Sequence, residues 1–127
     1  MRILIADDHE IVRKGVCSIL ESRKNIEICG EASNGQEAVQ NAFQLHPDLV
    51  ILDVTMPVLD GFTAAKQIKE ILPHVPILML SMHDGNDVVR EAQLAGVQGF
   101  VTKSEAANIL LTAVDAIFEG HTFFSTR

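Results

Sequence analysis

Apolar residues gather in five short runs: "RILIA" (2–6), "IEICGEA" (26–32), "LVILD" (49–53), "PILMLS" (76–81) and "GFVTK" (99–103). Their starts lie roughly 23 to 27 residues apart. That spacing leaves room for one helix between each pair, the pattern of βαβ units and a parallel sheet. The first, third and fourth runs are almost unbroken in apolar residues, as expected of strands covered on both faces.

The segments between the runs change to helical period. Ile11, Val12, Gly15, Val16, Ile19 and Leu20 form the first apolar stripe, and Ala38, Val39, Ala42 and Phe43 form a shorter one. Ile68, Ile71 and Leu72 follow, then Val88, Val89, Ala92 and Ala95. A final helix is expected from about Glu105 to Glu119, with Leu110, Ala113, Val114 and Ile117 on its apolar side. His46-Pro47 and Pro73 are stop signals, and Gly96 and Gly120 are placed as C-terminal caps. The tail "HTFFSTR" is too short for a second domain, and repeats and low-complexity segments are absent from the sequence.

Composition narrows this picture. The chain has 127 residues, enough for one domain with one core, and an ordinary 47% of hydrophobic residues. A formal charge of −7 argues against a grip on nucleic acid or an anionic membrane by this domain. Cys17 and Cys29 are too few and wrongly spaced for a zinc site, and read as reduced, buried thiols. Neither a signal peptide nor an apolar run near the ~20 residues of a membrane span is legible, so a cytoplasmic protein is expected.

In a doubly wound α/β sheet, functional residues stand outside the carboxyl ends of the strands. Here those ends carry Asp7-Asp8, Asp53, Ser81 and Thr102-Lys103. Each has a plain structural reading: Asp7, Asp8 or Ser104 as a helix cap, Ser81 as a turn residue, Lys103 as a solvated lysine. Together they fit that reading less well. Two adjacent acids exceed what one cap needs, and a third beside them adds repulsion unless a cation offsets it. Lys103 can offset one charge. Mg²⁺, commonly held by one or two carboxylates plus phosphate and waters, would offset the rest. Glycine-loop nucleotide motifs are missing from the sequence, so a phosphate ligand would rely on the cation, Lys103 and hydroxyls.

Four stretches then carry a resemblance along essentially the whole chain: "ILIADDHEIVRKG" (3–15), "DLVILDVTMPVLDGF" (48–62), "PILMLSMHD" (76–84) and "LAGVQGFVTKS" (94–104). In this order they resemble the receiver domain of bacterial two-component response regulators. The wording "DDHEIVRKG", "SMHD" and "FVTKSEAANILLTAVDAIFEGHTFFS" is similar to the NarL/LuxR-type subgroup. The resemblance implies a flavodoxin-like, doubly wound, five-stranded parallel sheet of order 2-1-3-4-5 with five helices. It implies Asp53 as phosphoacceptor, and Asp7, Asp8, Asp53 and the backbone carbonyl of Thr55 as the Mg²⁺ site. Ser81 and Phe100 match the switch residues, and Lys103 the lysine that pairs with phosphoryl oxygens. Phe100 also reads as plain core. Thr55 and His83, each two residues past a site residue, match positions that tune phosphoryl lifetime. His9, His46, His74 and His121 show no metal-ligand spacing and receive no chemical role.

The same resemblance implies a sensor histidine kinase as phosphodonor, a self-dephosphorylating switch rather than a turnover enzyme, and possible phosphorylation-dependent homodimerisation. A C-terminal helix-turn-helix domain that binds DNA is expected in the full-length protein, with residues 1–127 as the receiver. One departure concerns the peptide after the lysine. Many family members have proline there, in cis; here it is Ser104, for which cis costs ~3 kcal/mol more than trans, so its geometry stays open. Two other functions compete. Haloacid-dehalogenase-like phosphohydrolases also use a strand-end aspartate but want a second Asp two residues later, where this chain has Thr55. A receiver-like binding module that is never phosphorylated would not need the full set of acids and Lys103.

Overall fold

Each apolar run forms a strand and each period-3.6 segment a helix. In chain order these are β1 (Arg2–Ala6), α1 (Glu10–Glu21), β2 (Glu27–Ala32), α2 (Gly35–Leu45), β3 (Leu49–Asp53), α3 (Gly61–Ile71), β4 (Ile77–Ser81), α4 (Asn86–Leu94), β5 (Gly99–Thr102), α5 (Ala106–Phe118) and β6 (Phe123–Phe124). A single 3₁₀ turn, Lys103–Glu105, joins β5 to α5. The computed structural model describes residues 1–83 and 85–125. Asp84, the last residue of the third matching stretch, therefore lies outside the described residues, as do Thr126 and Arg127.

All strands pair in parallel, in the order β2-β1-β3-β4-β5-β6. The expected order 2-1-3-4-5 holds, with one correction: the sheet has six strands, not five. Phe123 and Phe124 pair with Gly99 and Phe100 and extend the sheet beyond β5. Two residues are too short to show an alternating pattern, so the sequence carries no signal for this strand.

Alternation along the strands divides the core in two. Leu4, Val50, Leu52, Met79 and Phe100 face α2, α3 and α4. Ile3, Ile5, Ile51, Leu78, Leu80 and Val101 face α1 and α5. Every residue of β3 and β4 is buried, so these strands are apolar on both sides. Burying one such Leu or Ile side chain contributes about 1.5–3 kcal/mol, which makes β3 the firmest place from which to project a polar group.

Helix ends follow the sequence signals. Asn34 caps α2 by accepting the Glu37 N–H at 2.9 Å, and Asp60 caps α3 by accepting the Thr63 N–H at 2.9 Å. His46 closes α2 in the left-handed region at φ 48°, and Gly96 and Gly120 follow α4 and α5 at φ 85° and 90°. Three apolar positions depart from the expected stripes: Ile11, Phe43 (58% exposed) and Ile71 (42% exposed). Ile11 sits in the first turn of α1 and is 88% exposed, because the buried side of that helix is formed by Val16, Cys17 and Leu20.

Candidate functional site

The carboxyl ends of β1, β3, β4 and β5 bring the expected residues to one edge of the sheet. Asp53 is the last residue of β3 and only 2% exposed. Asp7 follows β1, is fully buried, and is fixed through its main chain: its N–H donates to the Ala32 carbonyl at 3.0 Å, and its carbonyl accepts Arg13 Nη1 at 2.7 Å. Arg13 is held in turn by Glu31, at 2.8 Å. Asp8 is more open, with a side chain 30% exposed.

The approach of α3 to β3 depends on Gly61. A Cβ at that position would lie 2.1 Å from the Asp53 carbonyl oxygen, so only glycine lets the α3 N-terminus close against the end of β3. The Gly61 N–H donates to the Val54 carbonyl at 2.8 Å and fixes the chain directly after Asp53.

Lys103, at the start of the 3₁₀ turn, reaches back into the acids. Its Nζ is 2.9 Å from Asp7 Oδ2 and 3.1 Å from Asp53 Oδ2, and its side chain is 7% exposed. The two carboxylate oxygens are buried and accept no aligned hydrogen bond from the described residues, so Lys103 serves them by charge. Burial pulls the Lys103 ammonium down, but Asp7 and Asp53 outweigh it and hold its pKa above the ordinary lysine value. Asp53 moves to about 6 from 3.8, raised first by burial and then by Asp7, against the opposing pull of Lys103. One cation is too little for the acids gathered here, which is the electrostatic condition that favours a bound metal.

Ser81 ends β4 beside Thr102 on β5, one position past the Leu80–Asp53 pair, and is 2% exposed. Its Oγ accepts the His83 N–H at 2.9 Å. Thr55 is exposed and donates its N–H to Asp53 Oδ1 over a long 3.4 Å; His83 is exposed. Phe100 is fully buried among the α2–α4 side of the core, with Phe124 packed nearby. The Lys103–Ser104 peptide is trans, as are all others among the described residues.

The acids fit a divalent cation. Asp7, Asp8, His9 and Asp53 each offer a ligand atom, and these atoms lie within 4.8 Å of one another. His9 belongs to this group, contrary to the sequence reading, which gave it no role. Linear spacing along a helix hides it, because its neighbours in the site come from two different strand ends.

The match that decides the family covers residues 3–115, which fit the model of the response regulator receiver domain. The chain belongs to that family. Among curated relatives, it is 37% identical over 120 residues to the transcriptional regulatory protein LnrK of Bacillus subtilis, covering 94% of this chain and 54% of LnrK. It is likewise 37% identical over 124 residues to the response regulator protein VraR of Staphylococcus aureus, covering 98% and 59%. Among solved structures, a LuxR-family two-component response regulator from Aurantimonas sp. SI85-9A1 superposes with a TM-score of 0.92 at 34% identity, over 96% of this chain and 87% of that one. This receiver thus spans little more than half the length of the curated relatives it matches. Its relatives include LuxR- and NarL-type regulators. Among the described residues, no helix is long and apolar enough to cross a membrane.

Proposed function

We propose that this receiver is the phosphorylation switch of a cytoplasmic two-component regulator, with Asp53 as the residue that carries the phosphoryl group. The observation that carries this reading is the contact of Lys103 with both Asp7 and Asp53 at the end of β3. It leaves a buried nucleophilic carboxylate beside a fixed cation and further acids.

An Asp53 oxygen attacks the phosphorus of a phosphohistidine on a sensor histidine kinase. The new O–P bond forms as the N–P bond breaks, and the departing imidazole keeps the electron pair and takes up a proton. Such transfer passes through a loose state with charge on the equatorial oxygens, so positioning and electrostatics supply most of the catalysis. Lys103 would meet one of those oxygens. The Ser81 hydroxyl, which now accepts from the His83 N–H, has its own O–H to donate to another. Asp7, Asp8, Asp53 and the Thr55 carbonyl would hold Mg²⁺. When bound, Mg²⁺ would neutralise charge shared between those acids and the phosphoryl oxygens. Water attack on phosphorus later returns the Asp53 carboxylate and inorganic phosphate.

The aspartyl-phosphate carries up to about two negative charges where the carboxylate carried one, at a site that already strains to hold its acids. Drawing Ser81 and Lys103 toward it biases the β4–α4 and β5–α5 connections, with Phe100 following between core and surface positions. Thr55 and His83 flank the path of water and set the phosphoryl lifetime. In the full-length protein the receiver, residues 1–127, controls a C-terminal DNA-binding domain, with homodimerisation on phosphorylation. The receiver itself makes no direct nucleic-acid contact.

Incubation with Mg²⁺ and acetyl phosphate tests this reading. The expected result is a labile mass gain of one phosphoryl group that disappears in Asp53→Asn. No adduct would point to an unphosphorylated binding module, and multi-turnover release of phosphate from a small ester would point to a hydrolase. His83→Ala and Thr55→Ala are expected to change the adduct's half-life; unchanged half-lives would remove their tuning role.

A further inference from the structure

We propose that β6 is part of the switch: Phe124 and Ser125 are positioning residues that hold Phe100 and the Lys103 turn in the geometry that takes a phosphoryl group at Asp53. This inference rests on the reading of Asp53 as phosphoacceptor and concerns which further residues set the state of that site.

β6 is joined to the strand that carries the switch aromatic. Phe124 is the register partner of Phe100, and Phe123 that of Gly99. The Phe123 N–H donates to the Gln98 carbonyl at 3.0 Å, and the Ser125 N–H donates to the Phe100 carbonyl at 2.8 Å. The main chain of Phe100 is thus tied directly to Ser125. Gly99 permits this close approach. A Cβ there would stand 3.2 Å from the Phe123 carbonyl oxygen and 2.7 Å from Ile117 Cδ1.

The side chains of β6 reach both layers of the core. Phe124 packs on the α2–α4 side, where Phe100 lies, and Phe123 packs on the α1–α5 side. Phe100 is fully buried, with Phe124 half-buried on the strand outside it. Ile77 and Met79 face the same side as Phe100, so alternation along β4 puts Ser81 there too, beside Thr102. Drawing the Ser81 hydroxyl toward a phosphoryl oxygen removes volume from that side, and an inward Phe100 fills it. Phe124, standing between Phe100 and the sheet edge, favours the inward position.

A second tie ends at the lysine. Ser125 Oγ donates to Glu105 Oε1 at 3.1 Å, and Thr102 Oγ1 donates to the same oxygen at 3.0 Å. Thr102 and Glu105 flank Lys103, whose Nζ lies 2.9 Å from Asp7 and 3.1 Å from Asp53. One carboxylate thus closes β6 onto the turn that aims the lysine.

Both ties act in one direction: docked β6 favours the conformer that holds a phosphoryl group. A two-residue strand has little stability of its own, so its docking is easily biased. Linkage makes the effect reciprocal. Whatever factor docked β6 adds to phosphoryl binding, phosphoryl binding adds to β6 docking.

Beryllofluoride with Mg²⁺, a reversible mimic of the phosphoryl group, tests this on the intact chain. Amide exchange at Phe123 and Ser125, read by nuclear magnetic resonance, should slow by about fivefold or more when Asp53 is occupied. Calorimetric titration should show beryllofluoride bound about fivefold more weakly by Phe124→Ala, and also more weakly by Ser125→Ala, which removes only a hydroxyl. Phe124→Leu, which keeps an apolar side chain in place, should recover most of the affinity. In a Phe100→Leu background, Phe124→Ala should add less than about twofold, because Phe124 acts through Phe100. A strand with no part in the switch would lower the urea midpoint in these variants and leave the affinity of the folded protein unchanged. Unchanged or faster exchange on binding, or unchanged affinity in both Phe124→Ala and Ser125→Ala, would overturn the proposal while leaving Asp53 as the acceptor. Full additivity of Phe100→Leu and Phe124→Ala would overturn the route through Phe100. If the wild type binds no beryllofluoride, the reading of Asp53 as phosphoacceptor itself fails, and the role of β6 with it.

Discussion

Lys103 and Asp53 meet across two strand ends, Nζ to Oδ2 at 3.1 Å, although they are separated by β4 in the sheet order. The same ammonium lies 2.9 Å from Asp7. One lysine thus stands against two buried carboxylates, and burial, with Asp7 adding to it, raises the Asp53 pKa to about 6. An ionised Asp53 is a cost to the metal-free fold.

That cost fixes the sign of a pH dependence. The folded chain holds a proton on Asp53 in the window from 3.8 to about 6, where the unfolded chain has released it. The native state binds more protons there, so stability falls as pH rises through the window and stays low above it. A rise of about two units corresponds to about 3 kcal/mol. Asp53→Asn removes the charge without changing the shape. Metal-free Asp53→Asn should therefore be up to about 3 kcal/mol more stable than the wild type near pH 8, with the two converging near pH 4. Urea denaturation at the two pH values checks it. Equal stability near pH 8 would show that Asp53 is not strained by its neighbours.

Removing Lys103 should act in the opposite sense. Lys103→Met keeps most of the apolar stem but leaves Asp7 and Asp53 facing each other without a cation. Breaking a buried ion pair on one side costs about 3–5 kcal/mol when the remaining charge stays ionised. The loss should be largest near neutral pH and smaller in acid, where Asp53 takes a proton. Saturating divalent cation should recover part of it, because the ion supplies the missing positive charge. Thermal unfolding with and without 10 mM-scale Mg²⁺, compared with Asp53→Asn, measures both effects.

The strands, helices and acids of this receiver were legible because each rests on a repeated or local signal. β3 is apolar at every position, and Asp53 marks its end. Asp7-Asp8, Ser81 and Lys103 share the same placement at strand ends, and the rule for doubly wound sheets brings them together without any contact being known. What escaped depends on tertiary neighbours. Phe123 and Phe124 become a strand only because the edge of β5 is there to pair with. Ile11 fits a helical stripe yet points outward, since its helix covers the sheet with its second and third turns. His9 gains significance only when the turn after β1 folds back toward the end of β3.

The sixth strand makes a local prediction. The Ser125 N–H donates to the Phe100 carbonyl at 2.8 Å, and Ser125 Oγ donates to Glu105 Oε1 at 3.1 Å. Glu105 Oε1 also accepts from Thr102 Oγ1 at 3.0 Å, so one carboxylate ties β6 to the end of β5 beside Lys103. Two-residue strands have little stability of their own, and the low-stability end of a fold opens first. Glu105→Ala should speed amide exchange at Phe123 and Ser125 by tenfold or more, since a lost hydrogen bond to a charged group costs about 1.5–3 kcal/mol. Exchange in β3 and β4 should stay unchanged. Equal acceleration throughout the sheet would mean that Glu105 supports the whole domain rather than this strand.

Val58 offers a gain in stability. It lies in the loop between Asp53 and α3 with φ 69°, and the Leu59 N–H donates to the Pro57 carbonyl at 2.7 Å, closing a tight γ-turn around it. A positive φ at the centre of such a turn is strained, and for a β-branched side chain the left-handed region costs about 1–2 kcal/mol. Val58 is 74% exposed, so little packing is lost on replacing it. Asn tolerates this region better than valine and does not carry glycine's extra unfolded-chain entropy. Val58→Asn should raise the urea midpoint by an amount equivalent to about 0.5–1 kcal/mol with an unchanged m-value, and Val58→Gly should gain less. Because the turn follows the Asp53 strand directly, the same variants report on function. If the strain helps to hold Thr55 beside Asp53, a more stable Val58→Asn protein will also accept phosphoryl groups more slowly. If the strain is incidental, stability will rise with no change in the rate of adduct formation.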